Sequence, residues 1–467
     1  MGTILIKNGL LVDTEWIRRE DILIVDEKIS RIAKKINPNT LDPETEIIDA
    51  EGMCVMPGFI DAHTHYGLVS RGTVTADKFE EGSKCAAYGG CTTVIDFADQ
   101  IKGKTLFESA EARINEMKDR MAVDYALHQG VYGSIPDNIE TQLDELSTEG
   151  INIIKIFTTY KNVGYLIEKK KDLERLFKAA TERKMLITAH CEDNDIIEKT
   201  EKNWKGDFSA KSHADLRSDD AEAKAITFLG EIALKCSAPL YIVHLSSAKG
   251  LEAVRDLREK GAQIFVETTP TYLYKNKSLL ERKDAALFVM TPPLRTADDN
   301  ETLQTALEDG EIQVIATDHC AFTIKQKLDT AADCRKTYPG VPGTSEMFSA
   351  VHTFGLAHGG WLKIQQMVNL MSTSPAKLFG LYPRKGCLHI GSDADIVIFN
   401  PEEEWKPADS IVSASGYTMF FDDVFVGKVK KTYLRGTLIM GDGFYLGIPG
   451  DGKLITEGES VAFKYPS

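Results

Sequence analysis

The spacing of apolar and polar positions divides the chain into three stretches. Over the first fifty-odd residues, short alternating runs read as strands: Ile4–Ile6, Leu10–Val12, Ile22–Val25, Lys28–Ile32 and Glu46–Asp49, separated by turn signals such as Asn8-Gly9 and Asp26-Glu27. From Pro57 the rhythm changes. Continuous apolar runs now end in polar residues: Gly58–His63, Thr92–Phe97, Asp124–Val131, Ile151–Phe157, Met185–His190, Leu240–His244, Gln263–Thr268 and Gln313–Thr317. Between them Leu106–Met121, Asp172–Lys184, Ala221–Lys235 and Leu251–Lys260 place apolar residues at helical spacing. Strands alternating with helices eight times predict an α/β fold closed as a (β/α)8 TIM barrel, in preference to an open doubly wound sheet.

After Ser345 the pattern predicts helices over Glu346–Ala357, Lys363–Ser372 and Pro375–Phe379. Strands are then expected over Ala394–Phe399, Asp423–Val426, Lys428–Leu434 and Thr437–Met440, with Glu402–Glu404 in a loop and Glu168–Lys171 at the solvated start of a helix. Neither β-rich end can bury much alone. The expected organisation is a small β-sandwich domain from residues 1–55 and 386–467, and a barrel domain over residues 56–385.

Composition narrows the function. The 467 residues are 43% hydrophobic and 27% charged, an ordinary globular balance. A net charge of −15 repels phosphate backbones and argues against a nucleic-acid partner. No apolar stretch approaches the roughly 18 residues of a membrane span, and the N-terminus lacks the pattern of a leader, so a cytoplasmic protein is expected. The eight cysteines contain no Cys-x-x-Cys pair, which argues against a zinc finger or redox motif.

The chemistry lies in the histidines, of which there are ten. His63 and His65 form a His-x-His at the end of the first barrel run, and on a strand such residues share one face and can reach one metal. His190 ends the fifth run, His244 the sixth, and Asp318 follows the eighth. In a barrel these ends converge on one cavity, where barrel enzymes keep their sites. Lys155 sits inside the apolar fourth run, where a bare ammonium is costly. Two readings stand side by side: a lysine paired with a barrel carboxylate such as Asp96, or one carbamylated by CO2 to an anion that can bridge two cations. His128 reads as a core contact, and His213, His352, His358 and His389 as structural. His319, beside Asp318, either orients it or touches substrate.

This constellation resembles the amidohydrolase superfamily, in the branch of the hydantoinases and dihydropyrimidinases. The likeness is clearest at Val55–His65, Gly72–Phe97, Lys155–Asn162, Ala189–Asn194, Tyr241–Gly250, Thr291–Arg295 and Ala316–Phe322, and Gly72–Phe79 is similar to bacterial D-hydantoinases in particular. Dihydroorotases carry an Arg soon after the His-x-His, and here Tyr66-Gly67 follow instead. The resemblance implies binuclear metal-dependent hydrolysis of a cyclic amide, a hydantoin or dihydropyrimidine ring, to an N-carbamoyl amino acid. Two divalent metals, zinc being the expected one, would share an attacking hydroxide. His63, His65, carbamylated Lys155 and Asp318 would hold one metal, and Lys155, His190 and His244 the other, with Asp318 acting as base and then acid. By position, Tyr160 would bind the oxyanion and Thr291 the substrate amide. Pro339 stands where the related loop carries an Asn, and proline has no N–H to donate. The resemblance also implies a homo-oligomer, a tetramer or dimer. Two rival readings are an allantoinase-like hydrolase of another amide and a non-catalytic scaffold of the same fold.

Overall fold

The computed structural model describes residues 2–464. Eight strands form one parallel sheet in sequence order: β1 Phe59–Thr64, β2 Cys91–Ala98, β3 Asp124–Gly130, β4 Ile153–Phe157, β5 Leu186–His190, β6 Leu240–Ile242, β7 Ile264–Thr268 and β8 Val314–Ile315. β1, β2, β3 and β5 are buried along their whole length, as strands covered on both faces must be. The ring closes just beyond β8, where the His65 N–H donates to the His319 carbonyl at 2.9 Å and the Thr317 hydroxyl to Asp61 Oδ2 at 2.5 Å. The barrel interior is packed rather than hollow: Ile60, Ile95, Ile153, Leu186, Tyr241 and Val314 meet in one cluster.

Helices cover the outside. Leu106–Met117 begins where a capping box makes it begin: Thr105 Oγ1 accepts from the Glu108 N–H and the Glu108 carboxylate from the Thr105 N–H. Its buried residues, Leu106, Ser109, Ala110 and Met117, fall on one stripe. No helix among the described residues is long and apolar enough to cross a membrane.

Both chain ends build the second layer. One four-stranded sheet is made of Thr3–Lys7, Asp21–Val25, Lys28–Ala33 and Glu46–Asp49. A seven-stranded sheet joins Leu10–Val12, Ile17–Arg19 and Cys54–Pro57 to Ile396–Trp405, Phe425–Leu434, Thr437–Gly441 and Phe444–Tyr445. Ile4, Ile22 and Ile24 pack against Ile396 and Ile398 between them. Three local expectations change. Glu402–Glu404 lie within a strand, because Glu404 pairs with Val426 after a bulge. The two strands expected around Gly427 are one, bent at that glycine, whose φ is +99°. Glu168 and Lys169 precede the helix Lys170–Glu182.

The last residues, grouped in sequence with the sandwich, cross instead to the barrel floor. Ile455 N–H donates to the Tyr125 carbonyl, Glu457 N–H to that of Gly150, and Gln263 Nε2 to that of Ala462. Ile455 and Ala462 fill the bottom of the barrel cluster.

A buried ion cluster ties floor to sandwich. Lys385, 2% exposed, donates to Asp124 and Asp395 at 2.6 Å each and lies 3.0 Å from Asp393, and Arg435 also pairs with Asp124. Burial works against the Lys385 charge, but the three carboxylates hold its pKa above the ordinary lysine value. Removing the lysine leaves Asp395 buried without an ion-pair partner among the described residues, while Asp124 keeps Arg435 and Asp393 keeps Lys28 and Arg384. Lys385→Met is therefore expected to cost about 3–5 kcal/mol, read as a lowered urea midpoint at unchanged m-value.

Candidate active site

Strand phase aims the polar residues. Ile153 faces the barrel interior, so Lys155, two residues on, faces the same way at the upper end of β4; Leu186 does the same for His190 on β5. On β1 the pairing with β2 slips between Asp61 and Thr64. Ile60 and Ala62 point inward below the slip, and His63 and His65 line the cavity above it. His244 and Asp318 lie beyond the ends of β6 and β8 and adopt left-handed backbone, with φ of +40° and +52°. Tyr160 does too, at +65°. A non-glycine residue held there costs roughly 1–3 kcal/mol, and such strain gathers where side chains must be aimed.

These residues meet in one cavity of about 320 Å³, lined by His63, His65, Lys155, His190, His244 and Asp318, with Tyr160, Thr291 and Pro339 also on its wall. Asp318 Oδ1 lies 3.2 Å from His63 Nε2 and 3.3 Å from His65 Nε2. His190 Nδ1 and His244 Nε2 face each other at 3.0 Å. One donor atom each from His63, His244 and Asp318 falls within 4.8 Å of the others. His244 Nδ1 is buried with no hydrogen-bond partner among the described residues.

Lys155 is 1% exposed, its Nζ 4.9 Å and 5.0 Å from the ring centres of Phe97 and Phe157. Burial pulls its pKa down to about 8, with Asp318 and Glu267 opposing through charge alone. The pairing with Asp96 does not occur. Asp96 is taken by Arg113 at 2.5 Å, the Tyr66 N–H and the Thr64 hydroxyl.

Several supporting residues were not singled out in the sequence. Glu267 on β7 accepts from His63 Nδ1 at 2.8 Å, the Tyr241 hydroxyl at 2.9 Å and the His244 N–H at 3.0 Å. This fixes the His63 ring with Nε2 toward Asp318, as carboxylates do behind metal-binding imidazoles. Burial pushes the Glu267 carboxyl up to about 8. Glu192 does the same for His190 Nε2 at 2.7 Å. Although burial opposes it, the Arg217 guanidinium keeps Glu192 well below the carboxylate range. Burial lowers the pKa of His63, His190 and His244, so all three are neutral and able to donate a lone pair near neutral pH. The signal available for Glu267 was the same as for Lys155, a charged residue inside an apolar strand.

His319 is 1% exposed with both nitrogens occupied, one by Asp77 at 2.9 Å and one by the Gly343 and Thr344 N–H groups. It anchors the turn that carries Asp318 and does not line the cavity. His128 stacks on Phe97 and bonds the Ala62 carbonyl, a core contact. His213 and His352 bond the carbonyls of Met290 and Val426.

Burial pushes the Tyr160 phenol up to about 12, so it is a donor at neutral pH. On the same wall Pro339 offers no N–H, and the Gly340 N–H is spent on the Val289 carbonyl at 3.0 Å. Lys327, fully buried, donates to the carbonyls of Val289 at 2.6 Å and Tyr338 at 2.8 Å. It thereby clamps together the segments carrying Thr291 and Pro339. Lys327→Met is expected to raise KM roughly tenfold or more while kcat changes less, because small displacements at a substrate wall cost up to about 10²-fold. Steady-state kinetics beside a thermal melt check this.

The barrel, the strand-end histidines and the buried lysine gather a set of candidate metal ligands at the barrel mouth. The amidohydrolase family model matches residues 54–439. The chain is 34% identical over 460 residues to the D-hydantoinase of Ralstonia pickettii, covering 97% of this chain and 98% of that protein. It is also 34% identical over 459 residues to the D-hydantoinase of Geobacillus stearothermophilus, covering 97% and 96%. The dihydropyrimidinase of Brevibacillus agri superposes with a TM-score of 0.94 at 30% identity, over 98% of this chain and 99% of that one. The chain belongs to the amidohydrolase family, in its hydantoinase and dihydropyrimidinase branch.

Proposed function

We propose that the protein is a cyclic amide hydrolase that opens a hydantoin or dihydropyrimidine ring to an N-carbamoyl amino acid. The observation that carries the reading is the convergence of His63, His65, Lys155, His190, His244 and Asp318 on one buried cavity. The donor set fits two divalent metals. It offers neutral imidazoles, with His190 Nδ1 and His244 Nε2 facing each other, and one carboxylate, a set suited to zinc and equally to manganese or cobalt. Lys155 completes it if its neutral amine adds to CO2, forming an N–C bond and releasing a proton to give a carbamate with two oxygens. Its depressed pKa supplies that free amine near neutral pH. His63, His65, Lys155 and Asp318 would hold one metal, and Lys155, His190 and His244 the other. Bound there, the metals would make water a nucleophile near pH 7 and polarise the attacked carbonyl.

The chain's own groups do the rest. Asp318 takes the proton of the attacking water and returns it to the departing ring nitrogen, base first and acid second. The Tyr160 hydroxyl donates to the oxyanion as it develops. Thr291 contacts the ring amide, and Phe97 and Phe157 keep bulk water from the reacting atoms. The barrel of residues 56–385 and the sandwich of residues 1–55 and 386–467 are proposed as its two domains, with the tail returning to the barrel.

The test is turnover of dihydrouracil, hydantoin and a 5-substituted hydantoin by zinc-reconstituted protein with bicarbonate present. Ring opening of at least one supports the reading. No turnover of any of them with two metals bound per chain overturns it in favour of another amide.

A further inference from the structure

The mouth of the cavity carries a hairpin built at a cost. Val69–Ser70 and Thr73–Val74 pair as a two-strand ribbon, leaving Arg71 and Gly72 as its turn. Both turn residues have positive φ, +49° and +82°. Such a type I′ turn favours Asn-Gly or Asp-Gly, since its first central position suits a short polar side chain. Arginine there is strained, by roughly 1–3 kcal/mol, and nothing in the turn itself rewards it.

The rewards lie where its head goes. Arg71 Nη1 donates to the carbonyls of Arg335 at 2.9 Å and Thr337 at 3.4 Å, in the segment that leads into Pro339. Arg71 thereby lines both the main cavity and a second chamber of about 200 Å³, which share Tyr160, Asn162, Thr291 and Pro339. The other two guanidiniums on that chamber are already paired, Arg217 with Glu192 and Arg335 with Asp333. Among the described residues no carboxylate pairs with Arg71. The adjoining loop cannot supply a donor, because Pro339 has no N–H and that of Gly340 is spent on Val289. Among the described residues on the second chamber, Arg71 is thus the guanidinium left without a carboxylate, beside the neutral and unpartnered Asn194 Nδ2; its planar fork matches a carboxylate.

Accepting the ring-opening reading on which this rests, we infer that Arg71 is a specificity-determining residue and that the preferred substrate is a cyclic amide bearing a short carboxylate substituent. The substituent must be short. Glu198 and Glu201 also line the second chamber and would repel an anion carried deeper, so the carboxylate stops at the junction, one or two methylenes from the ring.

The experiment compares 5-(carboxymethyl)hydantoin with its uncharged isostere 5-(carbamoylmethyl)hydantoin and with unsubstituted hydantoin, in wild type, Arg71→Gln and Arg71→Lys. A charge-assisted hydrogen bond is worth about 1.5–3 kcal/mol, or roughly 10–100-fold at 1.4 kcal/mol per decade. Wild type is expected to favour the carboxylate over the carboxamide by that factor in kcat/KM, mostly through KM. Arg71→Gln should erase the preference and leave hydantoin within about threefold, a selectivity that a collapsed loop would not give, and Arg71→Lys should restore part of it. Equal kcat/KM for the two isosteres in wild type, or an equal loss on all three rings in Arg71→Gln, overturns the inference. If no ring opens, the reading of the reaction fails separately. Arg71 is then judged by calorimetric binding of N-carbamoylaspartate against N-carbamoylasparagine, where equal or absent binding of both overturns it.

Discussion

Lys155→Ala is expected to lose at least about 10³-fold in kcat/KM on any ring the protein opens, and to retain fewer than two metals per chain after reconstitution. The size follows from what the residue would hold together. Metal activation of water and carbonyl is worth several kcal/mol, and each 1.36 kcal/mol is a decade of rate. Without the carbamate, His190 and His244 offer only two imidazoles to the second metal. Loss of fold is not the expected cause, since the Lys155 ammonium has no ion-pair partner among the described residues to leave stranded and its burial is itself unfavourable. Lys155→Met, which refills the volume, controls for the cavity that alanine leaves. Metal analysis by mass spectrometry, steady-state kinetics and a thermal melt on both variants decide the matter. Full activity in Lys155→Met would exclude the bridging role.

Asp318→Asn is expected to lose about 10²–10⁴-fold in kcat, the range for a positioned acid–base group. The change keeps size and hydrogen-bonding capacity but removes the group that takes a proton and gives it back. Asp318 is held by its turn, with His319 anchored to Asp77 and the loop at Gly343 and Thr344, so the variant should keep the local backbone. Because Asp318 would also hold a metal, kinetics must be read at saturating zinc. A loss that disappears at saturating zinc would reduce Asp318 to a ligand. A loss that persists assigns it the proton transfer.

Much of this arrangement is legible in the sequence for a simple reason. A parallel barrel buries its strands on both faces, so each appears as a continuous apolar run, and any polar residue at its C-terminal end stands out. His63, His190 and Asp318 are visible in this way, and Lys155 is visible as a charge inside such a run. The candidate metal ligands therefore need little tertiary information to be found. Their supports are harder. Glu267 sits behind His63 from a strand 204 residues away, and Lys327 acts on two loops through backbone carbonyls, which leave no trace in residue type.

The sandwich is legible only in outline for a different reason. Its strands alternate weakly, and pairing across the chain ends decides their limits. Ile17–Arg19 is wholly exposed, and the strand ending at Trp405 passes through three consecutive glutamates. Both defeat a pattern that looks for buried alternation. The tail that closes the barrel floor is likewise fixed by distant partners, Tyr125 and Gly150, and its own composition points to neither domain.

The central claim, that water opens a ring amide in this cavity, is tested most directly by turnover of hydantoin in H2¹⁸O with zinc-loaded protein, followed by mass spectrometry of the product at early times. The account predicts N-carbamoylglycine carrying one ¹⁸O in its new carboxylate, formed by wild type and not by Lys155→Ala. Hydantoin, dihydrouracil and a 5-substituted hydantoin all left unaltered by protein that holds two metals per chain, or a label in the carbamoyl group instead, would contradict it.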